Sequence, residues 1–399
     1  MTSKSNVLRV DDLFFPSIAA LVSVLINYGG TFAIVFQAAK VANLSPELTA
    51  SWVFSLSIGV GITGVWLSYN YKEPIITAWS TPGVAFLASA LLFTSYNEAI
   101  GAYIISAIGF IILGMTGMFD RLIRYIPPGI AAGLLAGILL QFGIAAFGGA
   151  QVEPIFVILL FLTYIMLKRF VSRFAVVGIL VVGLVYLILF DKVNFQGIGL
   201  DFALPVLTMP AFSIASVLGV ALPLFIITLS GQYIPGMLIL RRDGFKTSAN
   251  PILTVTGIGS LMMAPFGSHA FNIAAISSAI CTSPDAHKDP SKRYIAGIIC
   301  GLLYIVVGIF GVTLVTLFLI LPPTFIATLA GLALLGTIGS SLSDALGDPN
   351  NRETALITFL ATAANVTLLG VGGAFWGLVA GLLAHLVMNF RSFKKTVST

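Results

Sequence analysis

Apolar runs dominate the chain, and short polar or charged joints cut them into stretches of roughly 20 residues, the length at which an α-helix crosses a bilayer core. Read in this way, the chain holds about fourteen candidate spans, from 17–39 near one end to 373–390 near the other. Two of them are interrupted at matching places. The third, 75–95, breaks at Ser80-Thr81-Pro82-Gly83, and the tenth, 266–282, breaks at Gly267-Ser268-His269-Ala270. Gly, Pro and hydroxyl residues inside an apolar run stop one helix and start another, which leaves a helix N-terminus with unpaired N–H groups near mid-bilayer. Backbone in that state is tolerated only where protein encloses it or where it lines a polar cavity, and the positive end of the helix attracts an anion. A matched pair of such breaks predicts the solute site of a secondary transporter.

Three sequence pairs share one register. Pro127-Pro128-Gly129 opens the fifth span and Pro322-Pro323-Thr324 the twelfth; the broken segments are third and tenth; Asn27-Tyr28-Gly29-Gly30 and Gln232-Tyr233-Ile234-Pro235-Gly236 fall in the first and eighth. An offset of seven spans is odd, so the two copies cross in opposite directions. The expected fold is an all-α polytopic membrane protein of about 14 spans, a 7+7 inverted repeat with short extended segments and half-helices in spans 3 and 10. Thr81 is the expected N-cap before Pro82, and Ser268 the expected cap of a second half-helix starting near Ala270. Residues 75–79 and 262–266 lean towards extended backbone, and pairing across the axis would satisfy their peptide groups.

Composition excludes a soluble class: 58% of residues are hydrophobic and 9% charged, and the mean hydropathy is +1.04. With a cytoplasmic N-terminus, loops on that side hold all of the 20 Lys and Arg residues except Lys40 and Lys192. The net charge of +5 is therefore a topology signal, with both ends inside, and not a nucleic-acid signal. Arg241 and Arg242 suit anionic lipid headgroups. Cys281 and Cys300 lack the spacing of a metal or redox site and read as packing residues. No H-E-x-x-H, G-x-S-x-G or Walker-type loop is present, so neither an enzyme nor an ATP-driven pump is expected, and no metal or cofactor is implied.

The stretches Phe266–Ile276 and Ser230–Gly236, with the paired prolines, resemble the benzoate/proton symporter (BenE) family over essentially the whole chain. That family is distantly similar to nucleobase permeases and SulP anion transporters. The resemblance implies a core domain from 17–120 and 212–320 moving against a gate domain from 121–195 and 321–391, joined by an external connector at 196–211. It also implies import of benzoate, or a similar aromatic carboxylate, with protons across the cell inner membrane, by a homodimer. The candidate substrate-binding residues are Tyr28, Ser80, Thr81, Gly83, Gln232, Tyr233, Ser268, His269, Phe271 and Asn272. Nucleobase permeases carry carboxylates where Gln232 and Phe271 stand. A carboxylate would repel benzoate, whereas Gln232 offers an amide donor and Phe271 an aromatic face. The exchange also removes the obvious proton carrier; His269 could take that role, or the substrate could enter already protonated. Glu73 reads as an interfacial charge partner of Lys72, and His385 as structural. The alternatives are a nucleobase or inorganic-anion transporter of the same fold, or a passive channel.

Overall fold

The computed structural model describes residues 10–119, 121, 127–194, 199–349, 351–366, 368, 371 and 373–388. Lys4, Arg9, Arg124, Arg391, Lys394 and Lys395, both chain ends, and the expected domain boundaries at 120, 195–196 and 391 lie outside the described residues.

The chain is mainly helical, and seven helices among the described residues are long and apolar enough to cross a membrane. α1 (Val10–Ile26) passes through a π-helical turn, Asn27–Thr31, into α2 (Phe32–Val41). α3 (Pro46–Tyr71) starts where Ser45 caps the Leu48 N–H and Pro46 fills the first turn, and it stops at Lys72 in the left-handed region. Strand β1 (Thr77–Trp79) leads into the half-helix α4 (Thr81–Ala90). α5 (Tyr96–Thr116) begins on a Ser95/Glu98 capping box and ends at Gly117, φ 68°. α6 (Pro128–Gly148), α7 (Pro154–Phe170) and α8 (Ala175–Leu189) follow. α9 (Ile214–Arg242) contains two π-helical turns, Val217–Ala221 and Leu229–Tyr233. After α10 (Ala249–Met263) come strand β2 (Phe271–Ile273), the short α11 (Ile276–Cys281), α12 (Tyr294–Ile309), α13 (Gly311–Leu319), α14 (Pro323–Gly347), α15 (Arg352–Ala363) and α16 (Gly373–Met388).

These elements pack in two groups. α3 lies along α12 and α5 along α10, with α1 against α12 and α11; α6 packs on α14 and α15, and α15 on α16. Lipid gives apolar helices no hydrophobic reason to associate, so close backbone approach does the work. Gly61 on α3 and Gly301 on α12 show it: a Cβ on either would lie 2.6 Å from the carbonyl oxygen of the other.

β1 and β2 pair antiparallel in the interior, Thr77 opposite Ile273, Ala78 opposite Asn272 and Trp79 opposite Phe271. The ladder is extended by Ser80 N–H to the Ala270 carbonyl (3.0 Å) and Ala274 N–H to the Ile76 carbonyl (2.8 Å). All six strand residues are buried, so the pairing satisfies peptide groups that no water reaches. The first strand lies within the stretch expected to be extended. The second does not: Met262 and Met263 stay in α10, Ala264–Phe266 is a 3-10 turn, and the chain reverses at Gly267, φ 104°, before the strand. A helix satisfies its own backbone for as long as it continues, so the extended segment falls after the glycine that only a residue without Cβ makes easy. The second half-helix accordingly starts at Ile276, not near Ala270.

One end of the bundle gathers charge. Glu73 accepts from the backbone N–H groups of Lys246 (2.9 Å) and Thr247 (3.1 Å), rather than pairing with Lys72. Lys72 Nζ lies over the rings of Tyr69 (4.0 Å) and Tyr294 (4.8 Å). Asp12 takes Lys292 Nζ at 2.7 Å and His287 Nε2 at 3.3 Å. At Asp243 burial opposes ionisation, but hydrogen bonds from Arg242 and Thr282, with the Arg242 and Arg293 charges, outweigh it and hold the carboxyl below its usual range.

Candidate functional site

A cavity of about 380 Å³ lies between the two helix groups. Its inner wall is built from the start of α4 (Thr81, Pro82), the end of β1 (Trp79), the π-helical turn of α9 (Ser230, Gly231, Gln232), Asn27 and Thr31 from the first π-helical turn, and Ala275 and Ser277 at the start of α11. The opposite wall is Leu135 and Leu139 of α6 and a face of α14 running from Ala333 to Asp344. Eleven residues of helix cover about 16 Å, so the cavity is a deep cleft. Leu238, three residues before Arg241, and the exposed Asp344 mark its mouth on the charged end. A second cavity, sharing Leu135, Ser230, Ser341 and Asp344, continues towards Asp348.

The local chemistry follows from the α4 start. Ser80 is the N-cap, its Oγ accepting the Gly83 N–H at 3.1 Å and lying 2.8 Å from Thr228 Oγ1. Thr81 is therefore not the cap: it occupies the first helical position and Pro82 the second. This shift leaves the Thr81 hydroxyl out of the cap, and Thr81 borders the cavity. Gly83 is required for close packing, because a Cβ there would sit 2.6 Å from Ser80 Oγ and 2.7 Å from Leu224. π-helical turns widen a helix and expose backbone carbonyls, and they recur at functional sites; here Asn27–Thr31 and Leu229–Tyr233 border the cavity, and Val217–Ala221 does not.

Of the ten residues expected to bind substrate, Thr81 and Gln232 line the cavity. The others form the layer behind it. Tyr28 donates to Ser57 Oγ (2.6 Å) and packs on Phe32, Trp79 and Tyr304. Tyr233 donates to the Phe271 carbonyl at 3.0 Å and lies 2.6 Å from Thr256 Oγ1. Phe271 N–H donates to Ser260 Oγ (2.8 Å), and its ring fills the space above Gly59 and Gly259. Ser268 Oγ donates to the His269 carbonyl at 3.1 Å and does not cap α11, which has no side-chain cap.

His269 is fully buried. Its Nδ1 accepts from Trp52 Nε1 at 3.2 Å, which leaves Nε2 to carry the proton donated to the Ser80 carbonyl at 3.3 Å. Asn272, with its amide oriented by the hydrogen-bond network, donates to the Ile273 carbonyl and accepts from Ser80 N–H, both at 3.0 Å. Both residues thus tie the strand pair to the α4 cap. Missing from the expected set are Trp79, Asn27 and the α14 hydroxyls Thr337, Ser340 and Ser341. The last three recur at i, i+3 and i+4 in a mainly apolar span, a polar face that could have pointed to them.

A helical assembly with membrane-length apolar spans, discontinuous helices and a polar cleft at their break defines a multi-pass membrane transporter. The chain belongs to the benzoate membrane transport protein family, whose model matches residues 15–387. It is 41% identical over 388 residues to the benzoate membrane transport protein of Acinetobacter baylyi, covering 97% of this chain and 98% of that one. It is 39% identical over 372 residues to the inner membrane protein YdcO of Escherichia coli, covering 93% and 95%. In fold it is similar to the transmembrane domain of the cyanobacterial bicarbonate transporter BicA (TM-score 0.62, 16% identity, 94% of this chain and 98% of that one). It is also similar to SLC26A9 (TM-score 0.62, 13% identity, 95% and 66%). These neighbours match the distant relation to SulP transporters. The family and its relatives are membrane transporters, not enzymes.

Proposed function

We propose that this chain imports benzoate or a similar aromatic carboxylate across the inner membrane, with proton symport. The observation that carries the reading is the cleft where the start of α4 meets the π-helical turn of α9, with Thr81 and Gln232 on its wall. A helix start, a hydroxyl and an amide suit a carboxylate, and the apolar side chains of Pro82, Leu135, Leu139 and Leu334 suit a ring. The charge of the exposed Asp344 sits at the mouth, away from that end.

The fourteen-span, 7+7 inverted repeat is part of this proposal. The antiparallel β1–β2 register supports it, since such a pair has a local two-fold axis, and so do the π-helical turns in the first and eighth spans. The two packing groups, with the cleft between them, support a division into core and gate domains. Positive-inside bias supports a cytoplasmic charged end, and with that orientation the cleft would open inward. YdcO's name supports the inner membrane, and a homodimer follows the family expectation. A second proton on His269 would break its bond from Trp52; carriage of the protonated acid needs no such break, which favours the substrate as the proton's vehicle.

Uptake of radiolabelled benzoate into proteoliposomes, with and without an inward proton gradient, tests the reading. Saturable, gradient-dependent uptake is expected. Non-saturable flux would indicate a channel, and competition by uracil or sulfate would indicate the other substrate classes.

A further inference from the structure

Trp79 was not among the residues expected to bind, yet it is the one buried indole without a hydrogen-bond partner among the described residues. The contrast within the chain is informative. Trp52 Nε1 donates to His269 Nδ1, and Trp376 Nε1 donates to the carbonyls of Leu368 (3.0 Å) and Val371 (3.1 Å). Trp66 is exposed on the outer surface. Trp79 is 1% exposed, with its indole nitrogen buried, and it is among the residues that border the cavity.

The ring is not free to turn elsewhere. Tyr28, Phe32 and Tyr304 hold it, with ring centroids at 5.2, 5.4 and 5.9 Å. Its backbone is fixed opposite Phe271 in the strand pair, two residues before Thr81. An indole N–H can only donate, so its partner must be an acceptor. Leaving such a donor buried and unpaired is unfavourable, and a fold that fixes it in a cavity wall recovers that cost when an acceptor arrives.

We propose that Trp79 is a substrate-binding residue, its indole N–H donating to a carboxylate oxygen of the carried acid beside Thr81. This rests on the cleft being the substrate site and adds a specificity determinant: a ligand presenting N–H groups at this point, as a nucleobase does, leaves the indole unpaired.

Benzoate binding to purified Trp79→Phe and Trp79→His, measured by isothermal titration calorimetry alongside Thr81→Ala, tests the assignment. Trp79→Phe keeps a flat ring and loses the donor, and should weaken benzoate about ten-fold or more, the usual effect of losing a hydrogen bond to a charged group. Trp79→His retains a donor and should recover part of the loss. Unchanged affinity in Trp79→Phe while Thr81→Ala is weakened would overturn the role of Trp79 and leave the cleft standing. Unchanged affinity in both would overturn the cleft itself. Should Trp79→Phe not fold, the ultraviolet resonance Raman difference spectrum of the wild-type protein with and without benzoate decides. One indole N–H passing from unbonded to bonded is expected, and no indole change would refute the proposal.

Discussion

Thr81 and Gln232 approach the cleft from different segments, so removing either should weaken benzoate without unfolding the protein. Thr81→Ala and Gln232→Ala are each expected to raise the dissociation constant by roughly 5- to 20-fold, equivalent to about 1–2 kcal/mol, in calorimetric titrations. His269 belongs to a different account. With both ring nitrogens engaged inside the protein, His269→Ala should lower thermal stability and reduce proton-driven accumulation and substrate exchange alike. Selective loss of accumulation would instead make it the proton carrier. The sequence made Thr81 and Gln232 legible because they sit at breaks in apolar runs. It could not separate them from His269 and Asn272, which occupy an equally polar break but turn inward to hold β2 against Ser80. Which way a side chain points at a reversal is set by the φ of Gly267 and by strand register, and neither is written in composition.

At the scale of elements, the α4 start depends on Ser80, whose side chain caps Gly83 and meets Thr228 while its carbonyl receives His269. Ser80→Ala should cost about 1–2 kcal/mol of stability and weaken benzoate by loosening the helix end, seen as a lower melting temperature with a reduced ligand-induced shift. The first half-helix was readable from Thr81-Pro82-Gly83, since proline in a first turn marks a start. The second lacks such a marker: it begins at Ile276 without a side-chain cap, and the preceding Gly267-Ser268 resembles a helix start while serving as a turn into a strand. Spacing alone also misplaced the partner strand, because a short apolar run is compatible with either helix or strand.

Across the whole molecule, the cleft opens at the end where Asp243 joins Arg242 and Thr282. A carboxyl held below its ordinary value stabilises the fold above its unfolded pKa of about 4, and that contribution is lost as the pH falls through the depressed folded value. Asp243→Asn should therefore lower the melting temperature slightly at neutral pH and leave it unchanged relative to wild type in strong acid. Orientation is testable too. Ser340→Cys, on the exposed part of the α14 wall, should react with a membrane-impermeant thiol reagent from the cytoplasmic face, and benzoate should slow the reaction; the native Cys281 and Cys300 are buried and contribute little background. The position of the substrate itself can be read from the anomalous signal of bound 4-iodobenzoate in a crystal of this protein. One iodine peak is expected in the cleft, on the side of the α6 and α14 wall, with the carboxylate reaching Thr81 and Gln232; a peak beside His269 and Tyr233, or outside the helix bundle, would contradict this placement.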